Sequence, residues 1–266
     1  MEIYVVEPGD SVDSIGAAFG VDPGQVVYDN QLVYPYALAL GQALLIQGGE
    51  RNPSRSVSVG GYAYPFISRW VLEQTLPFLS RLLVFSYGFT AQGELLPPSY
   101  GEDGWMIREA ERFGTVPVLT LTPFGPDGNF NNQLIHSVVN SEEYTERLTG
   151  ELLEVMEEKG YRGVDIDFEY ILPEDRDAFT AFVRRTAEAV RAAGGRLSVA
   201  LAPKTSRDQK GLLYEGKDYR ALGEAADQVL LMTYEWGYTS AHAGCGCFLY
   251  FRVGRVFESC HFGSLG

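Results

Sequence analysis

The segment Gly163-Val164-Asp165-Ile166-Asp167-Phe168-Glu169-Tyr170 constrains this chain more than any other. Apolar Val164, Ile166 and Phe168 alternate with three carboxylates, a period of two that predicts a β-strand with unlike faces. Residues two apart on a strand point the same way and are separated by about 6.5–7 Å. Asp165, Asp167 and Glu169 therefore form an acidic ladder, which is costly unless solvated, neutralised by a cation or partly protonated. Glu169 lies nearest the C-terminal end. A neighbouring carboxylate and low solvation are expected to push its pKa upward, so that its proton stays available near neutral pH as a general acid requires. Asp167 can accept a hydrogen bond from it, so the two should titrate as a coupled pair. A cluster of carboxylates also suits Mg²⁺ or Ca²⁺, although no His or further acidic motif lies nearby. A solvated face of an edge strand is a third reading. On the residues alone, an acid/base role and a structural role both stand.

Strand and helix signals alternate around this ladder. The strand candidates are Val57–Tyr62, Leu82–Phe89, Val116–Thr122, Gly163–Tyr170, Leu197–Pro203 and Gln228–Tyr234. Tyr144, Leu148, Leu152, Val155 and Met156 make one helical stripe, ended by Gly160. Pro173 opens another helix, with Phe179, Phe182, Val183 and Val190 inward and Gly194-Gly195 closing it. Repeated βα units predict an α/β fold, a parallel sheet with helices outside it. Periodicity does not choose between an open doubly wound sheet and a barrel. No glycine fingerprint follows a strand, which argues against dinucleotide binding.

The first fifty residues read as a separate α+β unit of order βααβ: a strand Glu2–Val6, a Pro8-Gly9-Asp10-Ser11 turn and cap, two short helices carrying Val12, Ile15, Phe19, Val26 and Val27, and a strand over 41–47. The expected organisation is this unit over 1–47, a polar linker over 48–56, a domain of βα units over 57–239, which the resemblance described below implies is a partial barrel, and a tail over 240–266. The formal net charge of −14 disfavours a nucleic-acid partner, since phosphate binding needs clustered Lys and Arg. No run of about 18 apolar residues predicts a membrane span. The start, MEIYVVEPGD, carries no secretory signal pattern, so synthesis in the cytoplasm is expected. All three cysteines, Cys245, Cys247 and Cys260, fall in the tail with His242 and His261. Their spacing is tighter than that of ordinary zinc pairs, and no metal or other cofactor is expected. The tail breaks the βα rhythm, so a frame shift or fragment end near residue 239 is expected; a complete barrel would need two more βα units after Tyr234.

YVVEPGDSVDSIGAAFGV, the Asn30 loop and GQALLIQ together resemble a LysM domain, a small module that binds N-acetylglucosamine-containing glycans. The resemblance implies glycan contacts at Gly9, Asp10, Ser11, Asn30, Gln31 and Leu32, with Ser11 where Thr is commoner. On the residues alone, Gly9-Asp10-Ser11 reads equally well as a helix cap. GVDIDFEY resembles the D-x-x-D-x-D-x-E signature of family 18 glycoside hydrolases, the chitinase-like (β/α)8 enzymes. Arg162 stands at the first acidic position. LMTYEW, Leu231 to Trp236, is similar to that family's M-x-Y-D, with Glu235 in place of Asp. GYAYPF, VFSYGF and MTYEWGY look most like the LysM-bearing, spore-associated branch, whose enzymes attack N-acetylglucosaminyl bonds in spore cortex peptidoglycan.

The resemblance implies an incomplete (β/α)8 TIM barrel and substrate-assisted retention. Glu169 would protonate the leaving oxygen, Asp167 orient the acetamido group, Tyr234 hydrogen-bond it and Asp165 support Asp167. Met232, Trp236, Tyr62, Tyr87 and Tyr170 are candidate sugar contacts, with core packing the simpler reading of any one aromatic except Trp236, which directly follows the Tyr234 motif. Partners would be peptidoglycan or chitin-type glycans, and the setting the spore coat or cortex during germination. A glycan-binding protein without turnover is the alternative.

Overall fold

The computed structural model describes residues 2–48, 56–99, 101–206 and 208–233, together with the backbone of 249–252. The chain divides into two compact units, Met1–Val57 and Ser58–Gly266.

In the small unit, β1 (Glu2–Val5) pairs antiparallel with β2 (Ala43–Ile46). Between them lie α1 (Val12–Phe19) and α2 (Pro23–Asp29). Ser11 caps α1 through a reciprocal box with Ser14, and Gly20 ends it at φ 64°, a left-handed conformation that costs glycine little. Pro23 sits in the first turn of α2, where its missing N–H has no helical partner to lose. Val6, Val12, Ile15, Val26, Leu44 and Ile46 form the core.

The large unit begins with β3 (Gly60–Ala63), α3 (Arg69–Thr75), β4 (Arg81–Phe89) and the short β5 (Leu95–Leu96). It continues with α4 (Gly104–Arg112), β6 (Val116–Leu121), α5 (Asn132–Val139) and α6 (Glu142–Lys159). Then come β7 (Gly163–Ile166), α7 (Arg176–Ala192), β8 (Arg196–Leu201), α8 (Tyr219–Ala225), β9 (Gln228–Leu231) and β10 (Leu249–Arg252). The order β3-β4-β6-β7-β8-β9 follows the sequence, and every pair along it is parallel. A doubly wound sheet would reverse its order at a switch point. This one does not, which is the order of a barrel being wound in one direction. Among the described residues the sheet is a curled parallel half-barrel. Strand β10 runs antiparallel to β9, unlike any strand of a closed (β/α)8 barrel. Apart from β10, the tail expected over 240–266 lies outside the described residues. No helix among the described residues is long and apolar enough to cross a membrane.

The acidic strand ends earlier than its alternation predicts, at Ile166 rather than Tyr170, although the Asp167 N–H still donates to the Leu121 carbonyl at 2.9 Å. Val164, Ile166 and Phe168 are fully buried. The Phe168 ring lies 5.4 Å from Phe89, 5.9 Å from Phe179 and 5.8 Å from Phe182, the last two on α7. Fixing the apolar face under the helices turns Asp165 and Asp167 to the inner face, because successive strand residues cannot share a side. Ile166→Val is expected to cost about 0.5–1.5 kcal/mol of stability, measured by urea unfolding, because this face is packed without slack.

Candidate active site

Asp165 is completely buried on the inner face. Tyr62 Oη, on β3, donates to its Oδ2 at 2.7 Å, and Ser198 Oγ, on the adjacent strand β8, donates to its Oδ1. Burial pushes its carboxyl up from the usual range, and the bonds from Ser198 and Tyr62 and the charge of Arg81 oppose that push. Asp167 stands one step nearer the strand's end. Burial, then the charges of Asp165 and Glu169, push its carboxyl up to about 7 against the opposing charge of Lys217. Its Oδ1 is buried without a hydrogen-bond partner among the described residues. Glu169 follows, half-buried, at the C-terminal mouth of the sheet. Asp167 is thus a member of the ladder that its surroundings push far above the ordinary carboxylate range. A carboxyl raised in this way keeps its proton to higher pH than a solvated one does.

Other expected residues separate into groups. Tyr62 joins the ladder through its hydroxyl. Tyr170 is partly exposed beside the mouth, its ring 6.3 Å from Phe130. Met232 is half-buried directly after β9, its N–H bonded to the Leu201 carbonyl. Tyr234 and Trp236 lie outside the described residues.

Tyr87 does not line the cleft, contrary to the sequence expectation. A register shift falls between Val84 and Tyr87, so that Val84 pairs with Leu119 and Tyr87 with Leu121. Leu119 and Leu121 pair with Val164 and Ile166, which point to the helices. The extra residue in β4 therefore puts Tyr87 on the helix side, where its hydroxyl donates to Asp103 at 2.5 Å.

A second aromatic surface was not foreseen. Phe85, Phe124 and Tyr64 line a cavity of about 230 Å³ at the ends of β3, β4 and β6. Phe66 stacks on Tyr64 at 4.9 Å, and Phe130 meets Phe124 edge-on at 5.7 Å. Nothing in periodicity distinguishes these rings from core residues.

In the small unit, Asp10 accepts from Tyr4 Oη and the Glu7 N–H, both at 2.7 Å. The Tyr4 bond, then that of Glu7, holds its carboxyl below the usual range. Gly9 takes φ 92° in the same turn, and Gln31 φ 51° in the other loop. Leu32 packs on the core. The Asn30 side chain donates to the Val26 and Leu45 carbonyls and accepts from the Leu45 N–H at 2.6 Å. Its amide therefore clamps α2 to β2. A cavity of about 260 Å³ opens beside Ser11, Pro23 and Tyr36.

The family model for glycosyl hydrolases family 18 matches residues 124–250, a stretch that contains the ladder. The cortical fragment-lytic enzyme of Bacillus subtilis (strain 168) is 30% identical, over 90% of this chain and 67% of that protein. The chain belongs to glycosyl hydrolase family 18. The cortical fragment-lytic enzyme of Bacillus anthracis is 32% identical over 90% of this chain and 66% of its own length. The crystal structure of the Bacillus cereus spore cortex-lytic enzyme SleL superposes with a TM-score of 0.67 at 31% identity, over 92% of this chain and 56% of that one. This family 18 chain therefore spans about two thirds of those curated relatives and just over half of the solved chain.

Proposed function

We propose that this family 18 chain hydrolyses N-acetylglucosaminyl bonds in spore cortex peptidoglycan by substrate-assisted retention. The observation that carries the reading is the buried ladder, with Asp165 tied down by Tyr62 and Ser198 and Asp167 pushed up to about 7 beside Glu169. Glu169, at the mouth, gives its proton to the departing glycosidic oxygen as the bond from that oxygen to the anomeric carbon breaks. The carbonyl oxygen of the sugar's own 2-acetamido group attacks the anomeric carbon, forming a cyclic oxazolinium. Asp167, with an unpartnered Oδ1, accepts the acetamido N–H and stabilises the positive charge that develops there. Asp165 holds Asp167 from below. Glu169 then takes a proton from the water that opens the ring. No second nucleophilic carboxylate is required. Tyr234 is assigned the acetamido hydrogen bond, and Met232 and Trp236 the neighbouring wall. Tyr170 and the Tyr64, Phe85 and Phe124 surface supply flat faces on which sugar rings stack. The similarity to cortex-lytic enzymes supports the substrate class and a spore-associated setting.

The small unit is assigned as a LysM module that holds the enzyme on its glycan. Its βααβ order and its cavity beside Ser11 support this. Because the Asn30 amide is engaged internally, glycan contacts in that loop are assigned to backbone groups of 30–32. The full chain is expected to sediment with purified cortex, and a chain lacking residues 1–47 to remain in solution. Equal sedimentation of both would contradict the assignment. The alternative, glycan binding without turnover, is supported by the same cavity. It predicts sedimentation with no release of reducing ends from cortex fragments, whereas the enzyme reading predicts both.

A further inference from the structure

Lys217 is 1% exposed, and its Nζ has no hydrogen-bond partner among the described residues. Burying a lone ammonium is unfavourable, so its surroundings must supply negative charge. The acidic groups whose charges act on it are Asp167 and Glu169. The chain holds it there by close packing. A Cβ at Gly216 would lie 2.1 Å from the Ile171 carbonyl oxygen, so that Gly216 brings its backbone directly against the segment that follows Glu169. On the other side, Asp218 caps α8 and pairs with Arg176 of α7 at 3.0 Å. The Lys217 N–H bonds back to the Tyr214 carbonyl. Lys217 is thus fixed between two anchored neighbours, its buried Nζ and the buried Asp167 Oδ1 both without a hydrogen-bond partner among the described residues.

We propose that Lys217 is a positioning residue whose buried ammonium is the counter-charge of the Asp167–Glu169 pair, keeping that pair from holding a second proton near neutral pH. The inference rests on the ladder being the proton-handling site. Retention needs one carboxyl protonated to act as acid and one ionised to face the acetamido group. Three close carboxylates with no cation would favour extra protonation. Asp165 also acts on the pair, its charge raising Asp167, and Arg81 acts on Asp165 in turn. Tyr62 and Ser198 are already committed to Asp165. Among the described residues, Lys217 is the cation whose charge acts on Asp167 directly. The coupling is mutual: burial lowers the amine to about 8, and the two carboxylates hold it from falling further.

The test is a carbon-13 NMR titration of the aspartate carboxyls in the full chain, wild type beside Lys217→Met, which keeps the apolar stem and removes the charge. The Asp167 midpoint is expected to rise by about one pH unit or more in the variant. An unmoved midpoint overturns the proposal. A second measurement needs no change at Lys217. Its side-chain resonance in Glu169→Gln should titrate at lower pH than in wild type, because a carboxylate that favoured the charged amine has gone. Indifference to that change also overturns the proposal. On cortex fragments, both limbs of the kcat/KM profile of Lys217→Met should move toward higher pH with KM within a few-fold of wild type, and unmoved limbs count against it. Neither titration requires turnover. A chain that hydrolyses nothing therefore sinks the glycosidase reading alone, and a stationary Asp167 midpoint sinks the Lys217 assignment alone.

Discussion

Glu169→Gln is expected to lower kcat on cortex fragments by about 10² to 10⁴-fold, on the scale of losing one positioned general acid. That corresponds to about 2.7–5.5 kcal/mol in the barrier. The amide has the size and shape of the carboxyl but no proton to give the departing oxygen and no base to take one from water. Glu169 is half-buried at the mouth and accepts no hydrogen bond from the ladder, so its replacement leaves the Tyr62–Asp165–Ser198 bonds in place. Sedimentation with cortex and KM are accordingly expected to stay within a few-fold of wild type. Reducing-end release by the variant at the wild-type rate would remove Glu169 from the chemistry.

The largest expected effect on stability lies away from the cleft. Asp103, 1% exposed, accepts from Tyr87 Oη at 2.5 Å, Tyr161 Oη at 2.7 Å and Lys159 Nζ at 2.7 Å. Burial alone would push this carboxyl up, but the bonds from Lys159, Tyr87 and Tyr161 outweigh it and hold it below the usual range. Asp103→Asn leaves Lys159 without its counter-charge and is expected to cost about 3–5 kcal/mol, the scale for breaking a buried pair by removing one partner. Lys159 keeps some contact with solvent, which favours the lower end. The sign of the pH dependence follows from the lowered carboxyl. Its stabilisation is complete above the unfolded-state value of about 3.9 and is lost as pH falls through the lower folded-state value. Urea unfolding of wild type and variant should therefore differ fully at pH 7 and progressively less below about pH 4. A difference that persists undiminished in acid would mean that the carboxylate charge is not its source.

The residues that set the architecture could be read directly. Val164, Ile166 and Phe168 had to lie under helices, which left Asp165, Asp167 and Glu169 one face to share, and successive βα units gave the parallel sheet. Gly20 and Gly160 end helices as expected because both adopt left-handed backbone. The misreadings have local causes. Tyr87 reads as a cleft aromatic because it stands near the end of a strand, but one extra residue between Val84 and Tyr87 exchanges the faces, and nothing in FSYGF announces it. Asn30 is a different case: the LysM resemblance implies a glycan contact there, and its side-chain amide bonds backbone groups where α2 meets β2. Lys217 went unnoticed because GKDY reads as a solvated lysine before a helix cap. In the structure Lys217 is buried, and beside it Gly216 packs on Ile171, a contact between segments far apart in the chain. The glycine beside it was the available signal, since glycine is the residue that permits such an approach.

The most direct test of the proton-handling ladder is the anomeric configuration of freshly released product, followed by proton NMR in the first minutes of digestion of a β-linked N-acetylglucosaminyl substrate. Attack by the substrate's own acetamido oxygen, followed by water from the opposite face, predicts that the β-anomer forms first and then equilibrates. Appearance of the α-anomer first would contradict the account, because it requires a single displacement by water that this arrangement of Asp165, Asp167 and Glu169 is not proposed to support.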